Sequence, residues 1–322
     1  AKCVRRPHAH PCCQSGMTSK RHSYCVAIDG SDLGYKAMRL AMMCMHDKDT
    51  LLVIHAVDNN DGTAGKGAKA IDGETLEKNA QVEALKLRLR PECVHAEVAP
   101  LKPEGSVAQL IVGIANMRSR TLVVGASGRG AEARRSGSTA RPLGSVAEQC
   151  LMHTKVPVIL VRATNGKFDF KNSDEVNQLQ PRPQLTLAVA VDGSNIAKRA
   201  FDKAVAMAHA QDRIVAVNVY DGTVHHDPSH QHKNVKPLYE AECSKALALH
   251  RVKEARFEGI YRRGGESTEK HISALVDREE ADLLCLGSIE LANPTKGMYL
   301  GSVALGCAKF ANTNVCIVKN YV

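Results

Sequence analysis

The residue types in this sequence best suited to chemistry are those that bind phosphate. A Gly-Ala-Ser-Gly segment at 125–128 and a Gly-Ser-Val segment at 144–146 let backbone N–H groups approach an anion, because glycine has no Cβ. Four arginines lie between the two segments: Arg129, Arg134, Arg135 and Arg141. Guanidinium groups bind phosphate through charge-assisted hydrogen bonds, so this region predicts a polyphosphate ligand. The alternative is a solvated basic loop whose glycines only turn the chain.

Two carboxylates, Asp29 and Asp192, are placed to act as a general base, since each directly follows a short apolar run. A carboxylate at such a place more often orients a ligand or helps to begin a helix. The sequence has no Gly-x-Ser-x-Gly nucleophile elbow and no His-Glu-x-x-His zinc motif. We therefore expect no dedicated catalysis, at most a slow hydrolysis of the bound polyphosphate, and assign no catalytic residue.

Three further segments carry ligand-type residues without the spacing of a site. Residues 62–67 resemble a phosphate-binding P-loop, but Ala68 stands where the lysine must follow the second glycine, so this motif is rejected. A histidine cluster comprises His225, His226, His230 and His232. The N-terminal segment contains Cys3, His8, His10, Cys12 and Cys13. Neither set has a paired C-x-x-C element, which favours a solvated loop and an unstructured tail over metal sites.

The sequence repeats itself. Val-Ala-Ile-Asp-Gly-Ser at 26–31 returns as Val-Ala-Val-Asp-Gly-Ser at 189–194, and Gly-Ser-Val-Ala at 144–147 returns at 301–304. Order and spacing are nearly conserved between the copies, so the chain is expected to contain two copies of one domain. The expected organisation is a flexible basic tail at 1–21, a first domain at 22–163, a linker at 164–184 and a second domain at 185–322.

Each copy alternates short apolar runs with segments of helical period. The runs at 24–28 and 185–191 are too short for helices and end in turn residues, which is typical of buried strands. Ser31 and Ser194 follow as candidate N-caps. The alternation predicts an α/β fold with parallel sheets that are covered on both faces. The expected arrangement is two doubly wound, Rossmann-like sheets with strand order 3-2-1-4-5. In that order the first and fourth strands are neighbours, so Asp29 and the segment 125–128 can share one ligand.

Composition limits the partners. The net charge of +9 favours anionic ligands, whereas an aromatic content of 4% without Trp provides few stacking platforms and argues against nucleic acid. No apolar stretch approaches the roughly 20 residues of a membrane span. The 11 cysteines include no C-x-x-C, which is typical of buried thiols in a reducing compartment, and the cytoplasm is the expected location. Seven cysteines lie in apolar segments: Cys25, Cys44, Cys93, Cys150, Cys285, Cys307 and Cys316.

From about Ser23 onward the chain resembles the universal stress protein family, in two consecutive domains. ATP-binding members carry Gly-x-x-Gly, nine residues, then Gly-Ser or Gly-Thr; here residues 129–143 lie between the matching glycine pairs, a longer loop than the family pattern. The resemblance implies ATP or another adenine nucleotide as ligand, with Asp29 and Ala56 beside the adenine. It implies that ribose and phosphates are held by Gly125, Ser127, Gly128, Gly144, Ser145 and Val146. Arg129 joins this candidate site as the first cation of the loop.

The second copy departs from the pattern because Glu290 stands where the family has its second glycine. A carboxylate there repels phosphate, so only a degenerate pocket is expected, lined by Asp192, Val219, Gly287 and Ser302. Resemblance also implies pairing through the last strands, here Val158–Val161 with 315–318, which would make the chain an intrachain pseudo-dimer or a homo-oligomer and would hide an exposed strand edge.

Three functional hypotheses remain open. The first is a tandem universal stress protein that takes part in the stress response and binds adenine nucleotide mainly in its first domain. The second is a nucleotide-free dimeric interaction or scaffold module of the same family. The third is a nucleotidyl-transfer or hydrolytic enzyme on the same sheet topology.

Overall fold

The computed structural model describes most of both repeats. The described residues are 21–57, 72–102, 104–127, 143–162, 166–168, 182–221, 232–262, 265–288, 291–293 and 297–319. The elements of the first half are β1 (Ser23–Ile28), α1 (Asp32–Met43), β2 (Thr50–Val57), α2 (Gly73–Lys86), β3 (Val94–Pro100), α3 (Val107–Arg118), β4 (Thr121–Gly125), α4 (Ser145–His153) and β5 (Val158–Val161). Short 3-10 turns occupy Pro91–Cys93 and Gly166–Phe168.

The second half repeats this series. Its elements are β6 (Thr186–Ala190), α5 (Asn195–Met207), β7 (Arg213–Asp221), α6 (His232–Ala248), β8 (Glu254–Arg262), α7 (Thr268–Arg278), β9 (Leu283–Ser288), β10 (Leu291–Asn293), β11 (Gly297–Tyr299), α8 (Ser302–Phe310) and β12 (Asn314–Lys319). The predicted order of strands and helices is confirmed in both copies. The β10–β11 hairpin is an addition that the sequence analysis did not predict.

Ten strands form one sheet in the order β3-β2-β1-β4-β5-β12-β9-β6-β7-β8. Each half therefore has the predicted order 3-2-1-4-5, with parallel neighbours throughout. The halves join where β5 and β12 pair antiparallel, with Ile159 opposite Cys316. This confirms the predicted intrachain pseudo-dimer through the last strands.

Both faces of the sheet are covered, which explains why the strands are apolar without alternation. One core layer packs the sheet against α1, α2, α5 and α6, and the other packs it against α3, α4, α7 and α8. The seven cysteines predicted as buried thiols are free and buried, as is Cys243. Ser31 and Ser194 are confirmed as N-caps, because their hydroxyls accept from the N–H groups of Gly34 and Ala197 at 3.1 and 3.2 Å.

Matching aspartates tie the start of each half. Asp49 accepts from the N–H group of His22 at 2.9 Å, and Asp212 accepts from the N–H group of Leu185 at the same distance. Only Asp212 also binds an arginine among the described residues: Arg182, in the predicted linker, donates to its two oxygens at 2.7 and 2.8 Å. The end of the linker is thus anchored by a buried ion pair.

A lysine crosses from the second half into the first. Lys203 of α5 places its Nζ 2.6 Å from Thr121 Oγ1 and 2.6 Å from His22 Nε2, and 5.2 Å from the centroid of the Tyr24 ring. Burial lowers the pKa of Lys203 to about 8, and burial together with the charge of Lys203 lowers the pKa of His22 to about 3. Leu40 occupies the corresponding place in α1, so this contact has no counterpart in the other direction.

Candidate functional site

The carboxyl ends of β1, β2 and β4 bring the predicted site residues to one edge of the sheet. Ala27 lies opposite Val124, and Ile28 lies opposite His55. Asp29 directly follows β1. It therefore lies between the end of β4 at Gly125 on one side and the end of β2, which contains Ala56, on the other. In a doubly wound sheet this edge, where the strand order reverses, is the usual position of a ligand.

Asp29 helps to begin helix α1. Its Oδ1 accepts from the N–H and the hydroxyl of Ser31 at 3.0 and 2.5 Å. Gly30 has a φ of 77°, a conformation that favours glycine, and this allows the chain to turn between the two residues. The structure thus gives Asp29 a role in the helix start, in line with the reading that a carboxylate here orients or caps.

The two glycine segments of the first half are in direct contact. The N–H of Gly144 donates to the carbonyl of Ala126 at 2.8 Å, and the N–H of Ala126 donates to Val161 at 2.8 Å. Helix α4 begins immediately after Gly144, and no side chain of the described residues caps it. Because uncapped first-turn N–H groups carry partial positive charge, α4 opens toward the turn after β4 with the electrostatics that an anion needs.

Gly125 also has a packing reason to be glycine. A Cβ at this position would lie 3.2 Å from Leu33 Cγ and 3.2 Å from the carbonyl oxygen of Ser127. Gly287 is tighter still, since a Cβ there would lie 2.8 Å from the backbone of Ile196. Both glycines let the first helix of their half approach the end of the fourth strand, whether or not a ligand is present.

Strand β2 contains a polar residue, His55, whose role was not predicted from the sequence. His55 is buried, and its Nδ1 donates to the carbonyl of Ile28 at 3.0 Å, because a carbonyl can only accept. Asn218 does the same in β7, donating to Val191 at 2.7 Å. Each side chain binds the carbonyl of the residue that precedes the aspartate and so fixes the backbone at that point. The signal was available as a polar residue at the same place in two otherwise apolar runs.

Several predicted residues lie outside the described part of the chain. These are Gly128, Arg129 and the other loop arginines, the P-loop-like segment, the N-terminal Cys and His residues, His225, His226, His230 and Glu290. The described residues contain no group of three or more His, Cys, Asp or Glu side chains arranged to hold a metal ion.

The second half keeps the first part of the arrangement and changes the rest. Asp192 Oδ1 accepts from the N–H and hydroxyl of Ser194 at 2.9 and 2.6 Å, as Asp29 does from Ser31. Strand β9, however, continues one residue beyond its glycine to Ser288, which is buried. The hydroxyl of Ser288 accepts from the N–H of Gly301 at 3.1 Å, so a side chain takes the place that a backbone carbonyl has in the first half.

Fold and strand-end geometry define a class: a tandem of doubly wound α/β domains, joined through their last strands. The sequence profile described as the universal stress protein family matches residues 21–162 and 186–319. The chain belongs to the universal stress protein family, and it carries two tandem domains of it.

Individual relatives agree with this assignment. The chain is similar to universal stress protein Rv1636 of Mycobacterium tuberculosis strain H37Rv, with 29% identity over 150 residues that cover 41% of this chain and 94% of the mycobacterial protein. The fold is similar to that of a universal stress protein from Archaeoglobus fulgidus DSM 4304, at 17% identity and a TM-score of 0.53, covering 93% of this chain and 99% of that one. A protein of unknown function from Pseudomonas aeruginosa PAO1 gives 12% identity and a TM-score of 0.55, covering 93% of each chain.

None of the helices in the described part of the chain combines the length and apolar character that a bilayer crossing requires.

Proposed function

We propose that this protein binds ATP or another adenine nucleotide at the strand-end edge of its first half, and that it acts in the stress response through this occupancy. The observation that carries the proposal is the hydrogen bond between Gly144 N and Ala126 O at 2.8 Å. It joins the turn after β4 to the uncapped start of α4, so the backbone N–H groups of both segments can converge on one phosphate group.

The adenine end of the ligand is assigned to Asp29 and Ala56. Both lie partly exposed at the ends of neighbouring strands. Ser127, Ser145 and Val146 would contact ribose and phosphate, together with Gly128 and Arg129 of the loop. The net charge of +9 favours approach of the anionic ligand.

The first half is favoured over the second because the second lacks two features of such a site. A hairpin follows Ser288 where the first half has its arginine-containing loop. Glu290 stands in the sequence where the family pattern has its second glycine, and a carboxylate repels phosphate. We infer that nucleotide occupies the first half and biases the association state of a cytoplasmic protein, with no more than slow hydrolysis.

Titration calorimetry of the full chain with ATP, ADP, AMP and adenosine tests the proposal. We expect ATP to bind more tightly than adenosine, because the phosphates contribute through the backbone N–H groups. In Gly128→Glu, which copies the natural Glu290, ATP affinity should fall by about 100-fold or more on the usual cost of an unpaired buried charge. The matched control is Glu290→Gly, which should not weaken ATP binding. No heat with millimolar ATP, or equal affinities in Gly128→Glu and wild type, contradicts the proposal.

A second candidate function is a nucleotide-free interaction module. The observation that favours it is that Asp29 and Gly125 each have a structural role that needs no ligand, in the start of α1 and in the packing against Leu33. Native mass spectrometry of the purified chain separates the two functions. A co-purified adenine nucleotide excludes the second candidate, whereas a ligand-free protein that also ignores added ATP supports it.

A further inference from the structure

We propose that the second half positions helix α4 of the first half and thereby sets its affinity for phosphate, an inference that rests on the proposed function. Helix α4 is short, spanning Ser145–His153, and its first turn lies at the candidate phosphate site. An anion site of this kind works only if the helix is held in place, because a misplaced first turn directs its N–H groups away from the ligand.

Lys319 holds the other end of α4. It lies at the end of β12 and is 3% exposed, and its Nζ donates to the carbonyl of Thr154, the C-cap residue of α4, at 2.6 Å. The ammonium group satisfies a helix-terminal carbonyl and compensates the negative end of the helix dipole. Lys319 reaches this carbonyl only because β12 and β5 are paired, so the contact belongs to the junction between the halves.

The β10–β11 hairpin provides a second contact with the same helix. It lies between Ser288 and Gly301, and its strand β11 contacts α4 across the junction. Leu300, directly after β11, is buried in one core layer with Ala147 and Leu151 of α4. The segment that replaces a phosphate loop in the second half therefore packs on the helix of the first half.

The reverse contact supplies a matched control. Arg162, at the end of β5, is buried, and its guanidinium donates to the carbonyl of Ala308 in the last turn of α8. Arg162 thus supports the last helix of the second half as Lys319 supports that of the first. The proposed function assigns no phosphate to the start of α8, because Glu290 stands in the sequence where the family pattern has its second glycine and a carboxylate repels an anion.

The expected consequence is an asymmetric effect of two similar substitutions. Lys319→Met should weaken ATP binding by about tenfold, the usual effect of losing one charge-assisted hydrogen bond. Arg162→Met removes an equivalent buried cation from the same junction and should leave ATP affinity within about twofold. Lys319→Arg, which retains a charged donor, should restore most of the affinity.

Binding of adenosine distinguishes a role of Lys319 in positioning α4 from a general loss of structure in the variant. The start of α4 is assigned to phosphate and not to adenine, so Lys319→Met should leave adenosine affinity unchanged. A purely structural role of Lys319 would weaken ATP and adenosine equally. Shortening the hairpin by joining 289 to 300 through a glycine-serine turn provides a second variant, with the same expected loss for ATP and not for adenosine.

Hydrogen exchange provides a readout that needs no ligand. Without nucleotide, the backbone N–H groups of residues 148–151 in α4, which are hydrogen-bonded within the helix, should exchange faster in Lys319→Met than in wild type or Arg162→Met. Faster exchange combined with weaker ATP binding supports the inference. Equal exchange in the three proteins overturns it, as does equal ATP affinity in Lys319→Met and Arg162→Met. A wild-type chain that ignores ATP but shows the exchange difference overturns the proposed function and leaves the helix contact established.

Discussion

The turn after β4 and the end of β9 occupy the same place in the two halves but bind the following helix differently. Each half begins its first helix with the same Asp-Gly-Ser segment, and the hydrogen-bond distances from aspartate to serine are nearly equal in the two halves. Ala126 uses its backbone carbonyl to bind Gly144, whereas Ser288 uses its side chain to bind Gly301. The contacts that build the scaffold are repeated, and the contacts at the expected ligand edge have diverged. A repeated fold therefore does not imply a repeated site.

The junction shows the same division into matched and unmatched contacts. Lys319 and Arg162 are matched, each binding a carbonyl at the end of the opposite helix. The Lys203 contact has no counterpart, since Leu40 stands at the equivalent position, and the described residues include no counterpart of the ion pair between Arg182 and Asp212. Both of these contacts involve a charge of the second half or the linker. They offer substitutions that distinguish the halves.

The largest difference in unfolding free energy is expected between alanine substitutions of the matching aspartates, Asp212 and Asp49. Asp212→Ala leaves the Arg182 guanidinium, which is 10% exposed, with carbonyl partners but without its carboxylate, and should cost about 3–5 kcal/mol of unfolding free energy. Asp49→Ala removes hydrogen bonds to backbone N–H groups but no arginine contact among the described residues, and should cost about 1–3 kcal/mol. Urea denaturation of both variants measures this. Equal losses would show that the ion pair adds nothing to the anchoring of the linker.

The next largest difference in unfolding free energy is expected between alanine substitutions of the two strand-end glycines. Gly287→Ala forces a Cβ to within 2.8 Å of the Ile196 backbone and should cost about 2–3 kcal/mol. Gly125→Ala meets a flexible Leu33 side chain and the Ser127 carbonyl at 3.2 Å, and should cost about 1 kcal/mol. The same denaturation experiment compares them. A larger loss in Gly125→Ala would mean that the close approach of the first helix is not what requires glycine.

Stability should depend on pH through Lys203. Its folded pKa of about 8 lies below the ordinary value of 10.5, so between these values the unfolded chain binds more protons than the folded one. This group therefore makes the protein more stable as pH rises from about 8 to 10.5, and Lys203→Leu, which copies Leu40, should remove that increase in the free energy of unfolding. His22 and Thr121 remain paired in the variant, since they lie 2.8 Å apart. Identical slopes of unfolding free energy against pH in the two proteins would contradict this account.

The smallest expected effect concerns the helix starts. Asp29→Asn and Asp192→Asn should each cost about 0.5–1 kcal/mol, because both weaken the hydrogen bonds to the N-cap serine. Stability alone should not distinguish them. Their affinities for ATP should distinguish the two variants, since only Asp29 is assigned to the adenine. Equal ATP affinities in the two variants would remove Asp29 from the proposed site.

Much of the scaffold was predictable because it depends on local pattern. The apolar runs and their repetition predict the series of strands and helices in two domains, and the Asp-Gly-Ser segments predict the N-caps at Ser31 and Ser194. Boundaries were less exact. Leucines at 87 and 89 continue the apolar character past α2, but the helix ends at Lys86, because Arg88 adopts a φ of 61° and turns the chain.

The contacts across the junction could not be predicted from local pattern. Lys203 lies on α5, yet its partners are His22 and Thr121, far away in sequence. Lys319 binds Thr154 only because two antiparallel strands bring them together. The β10–β11 hairpin was not predicted from the sequence because its strands, Leu291–Asn293 and Gly297–Tyr299, span only three residues each. Three residues are too few to show a periodic pattern. The assigned ligand contacts of Gly128 and Arg129 remain predictions.

A crystal structure of the full chain grown with ATP tests the central claim most directly. We expect one nucleotide in the first half, with adenine between Asp29 and Ala56, phosphates against the backbone N–H groups of 125–128 and 144–146, and none beside Ser288. A nucleotide bound only in the second half, or a side chain of residues 128–142 filling the space before Gly144, would contradict the account.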